Sequence, residues 1–183
     1  MVSDYNVFSC NEIDAMNKTG QLDMLINHTT NKSKVYVKFY LPEKQKQMSK
    51  NTLDDIIEDL YTPEILQKED TLIIIIDDEP NNSNIQRINH LYSNDGIFIA
   101  MFNIMRLQFY IKSHFLVPKM SIVRDEDLPS LMELYQIKEL RQLPEISRYD
   151  AQAMTILMRP NQVCKIERSS KSALVTTFYR VCV

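Results

Sequence analysis

The sequence predicts a chain in two parts: a small α/β layer structure over residues 1–112, then a mixed α+β part with short strands over 113–183. Three observations carry that reading. Stretches with strand and helix patterns alternate along residues 34–112 in the order strand, helix, strand, helix, strand, which is the order of a layered α/β sheet. One of them, TLIIIID (71–77), is a continuous apolar run of strand length, the pattern of a strand covered on both faces. After Pro144 the pattern changes to short alternating or β-branched runs joined by polar links.

Taken in order, residues 1–32 are mixed and polar, with one helix expected around Asn11–Ile26. KVYVKFYL (34–41) alternates and is rich in Val, Tyr and Phe, as a strand should be, and Pro42 ends it because proline cannot donate to a ladder. EKQKQMSK (43–50) is a charged, solvated connector. In NTLDDIIEDLY (51–61), Leu53, Ile56, Ile57 and Leu60 fall at spacings of three and four, an amphipathic helix with Asn51 or Thr52 as N-cap. PNNSN (80–84) reads as a loop, and IQRINHLY (85–92) places Ile85, Ile88 and Leu91 on one helical face. IFIAMF (97–102) and LQFYIK (107–112) read as two strands, or as a strand and a short helix.

The boundary falls near HFLVPKM (114–120). Beyond it a helix is expected over 124–135, with Asp125 as N-cap, acidic residues in its first turn to suit the helix dipole, and Pro129 at N4, where its missing N–H costs little. NQVCKIE (161–167) and LVTTFYRVCV (174–183) are strand-like, with RSSKSA between them.

At 183 residues, with 44% apolar and 25% charged side chains, the chain can bury a core without metal or disulfide staples. Its net charge of −3 argues against a free-standing DNA binder, whose affinity comes mainly from excess lysine and arginine. The charge is unevenly split. Residues 1–116 carry 11 basic and 16 acidic side chains, net −5, whereas residues 117–183 carry 10 and 8, net +2. Cys10, Cys164 and Cys182 lie far apart with no metal-ligand spacing, as in reduced, intracellular protein. The N-terminus lacks the basic and apolar regions of a signal peptide, and LIIIID is too short to span a membrane, so no membrane association is expected.

Chemistry is sparse. Asp77, Asp78 and Glu79, at the end of the apolar strand, form the sharpest catalytic candidate, because carboxylates at a strand end can hold Mg²⁺ in a nuclease-like site. Such a nuclease also wants a lysine two residues after an acidic residue, and no Asp-x-Lys or Glu-x-Lys occurs; a plain strand-to-loop exit is the favoured reading. His28, His90 and His114 are too dispersed to form a motif, and Gly20 and Gly96 are the only glycines, which leaves no phosphate-binding loop. Lys44, Lys46 and Lys50 are diluted by glutamine and read as solvated. From the residues alone, the chain is a binding or assembly protein rather than an enzyme.

The C-terminal third carries a specific set of motifs: HFLVPKM, LPEI (143–146), Asp150, QVCKIERSSKSA (162–173) and YRV (179–181). Together they resemble the fifth subunit shared by the eukaryotic nuclear RNA polymerases, whose archaeal counterpart is the small H-type subunit. That family reads His-x-Leu-Val-Pro, a helix ending in Leu-x-x-Tyr, Gln-Leu-Pro-x-Ile, Asp-Pro, Gly-Gln-Val-Val-Lys-Ile, Arg-Pro-Ser-x-Thr-Ala-Gly and a late Tyr-Arg. His114, Leu116, Val117, Pro118, Tyr135, Gln142, Leu143, Pro144 and Ile146 match, with one extra residue near Leu140–Arg141. Asp150, Gln162, Val163, Lys165, Ile166, Arg168, Ser170, Ala173, Tyr179 and Arg180 then follow in register. The departures concern glycines and prolines. Asn161, Leu174 and Leu157 stand at family glycines, and Ala151 and Ser169 at family prolines. Asn161 tolerates positive φ and keeps its turn, whereas Leu174 is expected to reshape its hairpin. Such drift fits a viral or otherwise fast-evolving homologue.

The resemblance implies a non-catalytic subunit of a multi-subunit DNA-directed RNA polymerase, without a cofactor of its own. Its α+β module (113–183) would dock on the largest subunit and neighbour other polymerase subunits. The α/β part (1–112) would be a nuclease-like jaw near downstream DNA. By resemblance the subunit interface comprises Val117, Pro118, Leu143, Pro144, Ile146, Asp150, Gln162, Lys165, Arg168, Ser170, Tyr179 and Arg180. The family's Thr-Pro-Ser-Ala stretch near downstream DNA falls in register with Ser83-Asn84-Ile85-Gln86, where no match survives, and the candidate DNA-proximal loop comprises Ser83, Asn84, Gln86 and Arg87. A cellular member would act in the nucleus, a viral one in the host cytoplasm, viral factory and virion. The alternative retained beside it is a Mg²⁺-dependent nuclease using Asp77, Asp78 and Glu79.

Overall fold

The computed structural model describes residues 7–27, 33–42 and 48–183, and the chain divides into two units, Met1–Gln108 and Phe109–Val183. His28 and the connector lysines Lys44 and Lys46 lie outside the described residues.

The first unit runs α1 (Cys10–Lys18), β1 (Met24–Asn27), β2 (Lys34–Tyr40), α2 (Lys50–Tyr61), β3 (Thr71–Ile76), α3 (Asn82–Asp95) and β4 (Phe98–Asn103). Its sheet has the order β1-β2-β3-β4, with β1 antiparallel to β2 and the other pairs parallel. The crossovers β2–α2–β3 and β3–α3–β4 both step the same way across the sheet, and right-handed connections then place both helices on one face. Leu53, Ile56, Ile57 and Leu60 of α2 and Ile88 and Leu91 of α3 accordingly close over Leu72, Ile74 and Ile76 of β3 and Ile99 and Met101 of β4. On the opposite face Thr71 and Ile75 are buried as well, which is why β3 is an unbroken apolar run from Leu72 to Ile76.

Several boundaries differ from the sequence expectation, each for a local reason. The first helix stops at Lys18 instead of running to residue 26. Gly20 takes φ +68°, the amide of Gln21 bonds to the carbonyl of Met16, and that of Gly20 bonds to Asn17. This is a Schellman stop, and it releases the chain into β1. The N-cap of α2 is Ser49, whose Oγ accepts from the Thr52 amide at 3.2 Å, rather than Asn51 or Thr52. Asn81 caps α3 through its side chain, accepting from the Asn84 amide at 2.8 Å, so most of the expected 80–84 loop is helix. Gly96, at φ +74°, ends that helix. Residues 107–112 form no strand; 3-10 turns at Ile104–Leu107 and Ile111–Ser113 take their place.

In the second unit β5 (Lys119–Ile122), α4 (Leu128–Leu134), β6 (Glu145–Ile146), α5 (Ala151–Thr155), β7 (Val163–Ser170) and β8 (Leu174–Cys182) build a sheet of order β5-β7-β8-β6. β5 and β8 flank β7 antiparallel, and β6 lies parallel to the end of β8. The sequence had no strand at 119–122. α4 is capped at Asp127 with Pro129 in its first turn, rather than at Asp125. Alternation gives this sheet two cores. Val163 and Val181 pack with Leu143 on one face. Cys164 and Cys182 pack with Ala153 and Met158 on the other. The hairpin link is shorter than expected, three residues (171–173) between Ser170 and its partner Leu174.

Asp70 is the buried charge on which the first sheet closes. It is 3% exposed, and its carboxylate accepts from the Lys34 amide at 2.6 Å and the Gln67 amide at 2.7 Å, tying the start of β2 to the turn before β3. Burial, and then the Asp70 charge, push the nearby Tyr61 phenol up to about 12. Removing the carboxylate leaves two backbone donors without their charged acceptor. Asp70→Ala is therefore expected to lower unfolding free energy by about 3 kcal/mol in urea titration, and Asp70→Asn, which keeps one acceptor oxygen, by less.

Candidate subunit interface

Residues expected at an interface separate into two groups once their contacts are known. Leu143, Asp150 and Gln162 serve the unit's own fold. Leu143 is buried against Val163 and Val181. Asp150 caps α5, accepting from the amides of Gln152 at 2.9 Å and Ala153 at 3.2 Å. Gln162 Oε1 accepts from the Arg159 amide at 2.8 Å, closing the turn into β7. Lys165 is tied to Glu167 at 2.7 Å. Ser170 Oγ meets the Ser172 hydroxyl at 3.3 Å and its amide at 3.4 Å, so it is a turn residue. Tyr179 is half-buried against the Tyr135 ring, with centroids 5.5 Å apart.

The rest of the set is available to a partner. Pro144, Arg168 and Arg180 are exposed, and Val117, Pro118 and Ile146 are half-buried. The Arg168 guanidinium lies 5.3 Å from the centroid of the Phe178 ring, and Arg180 donates to the Glu145 carbonyl at 3.0 Å. The expected interface set leaves out two exposed apolar residues of the HFLVP segment. Phe115 is 87% and Leu116 72% exposed, beside the turn in which the Val117 amide bonds to the His114 carbonyl. The signal was their place inside the HFLVP motif, since apolar side chains in a turn have little core to fill. An open groove of about 590 Å³ runs between β5 and α4, lined by Ile122, Arg124, Leu131, Leu134, Lys165 and Tyr179.

The alternative metal site does not assemble. Asp77, Asp78 and Glu79 are all exposed, and Glu79 accepts from Arg106 Nε at 2.9 Å. Among the described residues no group of three His, Cys, Asp or Glu side chains could hold a metal ion. His90 lies beside Asn94, 2.9 Å from its amide nitrogen, and His114 stacks on Phe115. Burial raises the Cys164 thiol and pushes Cys182 up to about 11, which keeps both protonated inside the core.

The expected DNA-proximal loop is helical, because Ser83, Asn84, Gln86 and Arg87 form the first turns of α3. Ser83 and Gln86 are exposed, but Asn84 is buried and donates to the Met48 carbonyl at 2.9 Å. Arg87 pairs with Asp54 of α2 at 2.7 Å. Two of these residues thus join α3 to its neighbours.

The backbone settles the question of the glycines. Leu157, Asn161 and Leu174, which stand at family glycines, take φ of +51°, +68° and +56°. Leu157 is the left-handed residue of a Schellman stop, with the Met158 amide bonded to Ala153 and the Leu157 amide to Met154. Leu174 centres a tight turn in which the Val175 amide reaches the Ala173 carbonyl, a γ-turn of the strained, positive-φ hand. The hairpin closes at Leu174 in the left-handed region that favours glycine.

The second unit is a two-sided sheet with a long hairpin and several exposed apolar side chains, and comparison with known proteins gives it a class. Residues 109–182 match the family model described as RNA polymerase Rpb5, C-terminal domain. The DNA-directed RNA polymerase subunit Rpo5 of Methanococcus maripaludis is 37% identical over 73 residues, 40% of this chain and 92% of the relative. Its namesake in Pyrococcus abyssi is 36% identical over 76 residues, 42% of this chain and 92% of the relative. That of Archaeoglobus fulgidus is 34% identical over 77 residues, 42% of this chain and all of the relative. The chain belongs to the Rpb5/Rpo5 family of DNA-directed RNA polymerase subunits.

Leu174 is 86% exposed, so replacing it uncovers no core while relieving the left-handed strain. Leu174→Gly is expected to raise stability by about 1 kcal/mol, read as a higher urea midpoint at unchanged slope.

Proposed function

We propose that this chain is a non-catalytic subunit that docks through its second unit on the largest subunit of a DNA-directed RNA polymerase, and that its first unit is a jaw beside downstream DNA. The observation that carries the docking is the exposed apolar set beside matched family residues, with Phe115 and Leu116 flanking Val117 and Pro118. Arg168 and Arg180, exposed on the hairpin, supply charge-assisted hydrogen bonds to a partner. The first unit, acidic overall, lies near DNA by virtue of the assembly and not by its own affinity. Its exposed Ser83 and Gln86 at the start of α3 are the side chains offered for such a position. The subunit acts where its polymerase acts: in the nucleus for a cellular enzyme, in the host cytoplasm and virion for a viral one. No helix among the described residues is long and apolar enough to cross a membrane.

Co-expressed largest subunit is expected to retain the full chain on affinity capture through moderate salt washes, and failure to do so sinks the docking. Replacing Asp77, Asp78 and Glu79 together by Asn, Asn and Gln should leave transcription by the reconstituted polymerase within about twofold of normal, since surface substitutions of this kind have little effect. A loss of most activity would restore the metal reading.

A further inference from the structure

The second unit contains a strand edge that its own chain leaves uncovered. The amides of Val181 and Val183 bond to the carbonyls of Pro144 and Ile146 at 2.9 Å, on the β6 side, whereas that of Cys182 bonds to Gln162 on the β7 side. Backbone groups alternate along a strand, so the N–H and C=O groups of Thr177 and Tyr179 point to the same outer edge. β6 spans Glu145–Ile146 alone and pairs with Val181 and Cys182. Pro144 precedes it and has no N–H with which to extend the ladder. Among the described residues nothing pairs with the outer edge of β8 before Val181.

Exposed edges are normally blunted by lysine, proline or a bulge. Residues 175–179 read Val-Thr-Thr-Phe-Tyr and contain none of these. Val175 is 61% and Phe178 42% exposed. Arg168, pairing opposite Thr176, and Arg180 lie on the same face as Phe178, one on either side of it along the sheet. Neither arginine nor Lys171 has a carboxylate within ion-pair distance among the described residues.

We infer that the outer edge of β8, centred on Thr177 and Tyr179, takes an extended segment of a second polymerase subunit as an added strand, with carboxylates flanking an apolar residue opposite Phe178. This rests on the reading of the chain as an assembly subunit and specifies how one contact is made. The unpaired backbone selects an extended occupant, because main-chain bonds carry affinity in strand addition and side chains on alternate positions carry specificity. The two guanidinium groups, without ion pairs among the described residues, select acidic side chains. β6 shows that this edge of β8 accepts a parallel strand, and the added strand continues the sheet from it.

The test uses the full chain with co-expressed polymerase subunits. Thr177→Pro removes an amide that β7 does not use, and an edge strand tolerates proline where the N–H faces outward. The variant is expected to keep the circular dichroism and urea midpoint of the wild type but to lose roughly tenfold in capture. Arg168→Glu should weaken capture several-fold, more at low salt than at high. In the wild-type complex, hydrogen exchange at the Thr177 and Tyr179 amides should slow by more than roughly tenfold relative to the free chain. Should the proline variant misfold, exchange in the wild type decides the matter. Unchanged capture of a folded Thr177→Pro, or free exchange of both amides in the complex, overturns the added strand and leaves docking intact. Failure of the wild type to be captured overturns docking itself, and the added strand with it. A dimer of the isolated chain that Thr177→Pro abolishes assigns the edge to a second copy and overturns the proposed occupant.

Discussion

The second unit depends on the pairing of β7 with β8. Val163 and Cys164 are neighbours in the chain, both fully buried, and belong to cores on opposite faces of one sheet. Val181 and Cys182 repeat the arrangement across the ladder. A slip of one residue would exchange the two faces completely, placing the cysteines against Leu143 and the valines against α5. Because interiors are packed at near-crystalline density, neither core tolerates that exchange, and the register of the hairpin is fixed from both sides. The outer half of the same hairpin has no such constraint and is free to present side chains to a partner.

In the first unit, polar groups act as ties between elements. Asp23 accepts from the Tyr36 hydroxyl at 3.1 Å, Lys38 Nζ at 2.6 Å and the Phe39 amide at 3.1 Å, so one carboxylate braces three positions of β2. Burial, and then the Asp23 charge, push the Tyr36 phenol up to about 12, which keeps it a hydrogen-bond donor at neutral pH. Arg87 with Asp54 joins α3 to α2, and Arg106 with Glu79 joins the 3-10 turn after β4 to the loop after β3. Acidic side chains that looked like candidate ligands or surface charge are in several cases structural.

How much of this was legible depended on how strongly each segment declares itself. β2 alternates, α2 repeats at spacings of three and four, and β3 is a continuous apolar run, and these three elements followed from the sequence. β1 and β5 have four residues each, too few for a period to show, and exist because a neighbouring strand pairs with them. Residues 107–112 have strand-like composition but fall between and within 3-10 turns at Ile104–Leu107 and Ile111–Ser113. In the second unit, motif matching found the family's segment without separating residues that shape it, such as Asp150 and Gln162, from residues on its surface, such as Arg168. A matching residue is compatible with either role, and only exposure and hydrogen-bond partners tell them apart. Leu174 shows the converse limit, because the chain there takes a positive φ that the propensity of leucine disfavours.

The uncovered edge of β8 also bears on the life of the chain before assembly. Between synthesis and incorporation, Leu174, Val175 and Phe178 stand exposed beside unpaired backbone groups, a combination that recruits other strands indiscriminately. The rate of such losses rises with the concentration of free chain, whereas incorporation is limited by the supply of partners. Production of this subunit is therefore best matched to that of the polymerase it joins, and a surplus becomes a load on chaperones and proteases.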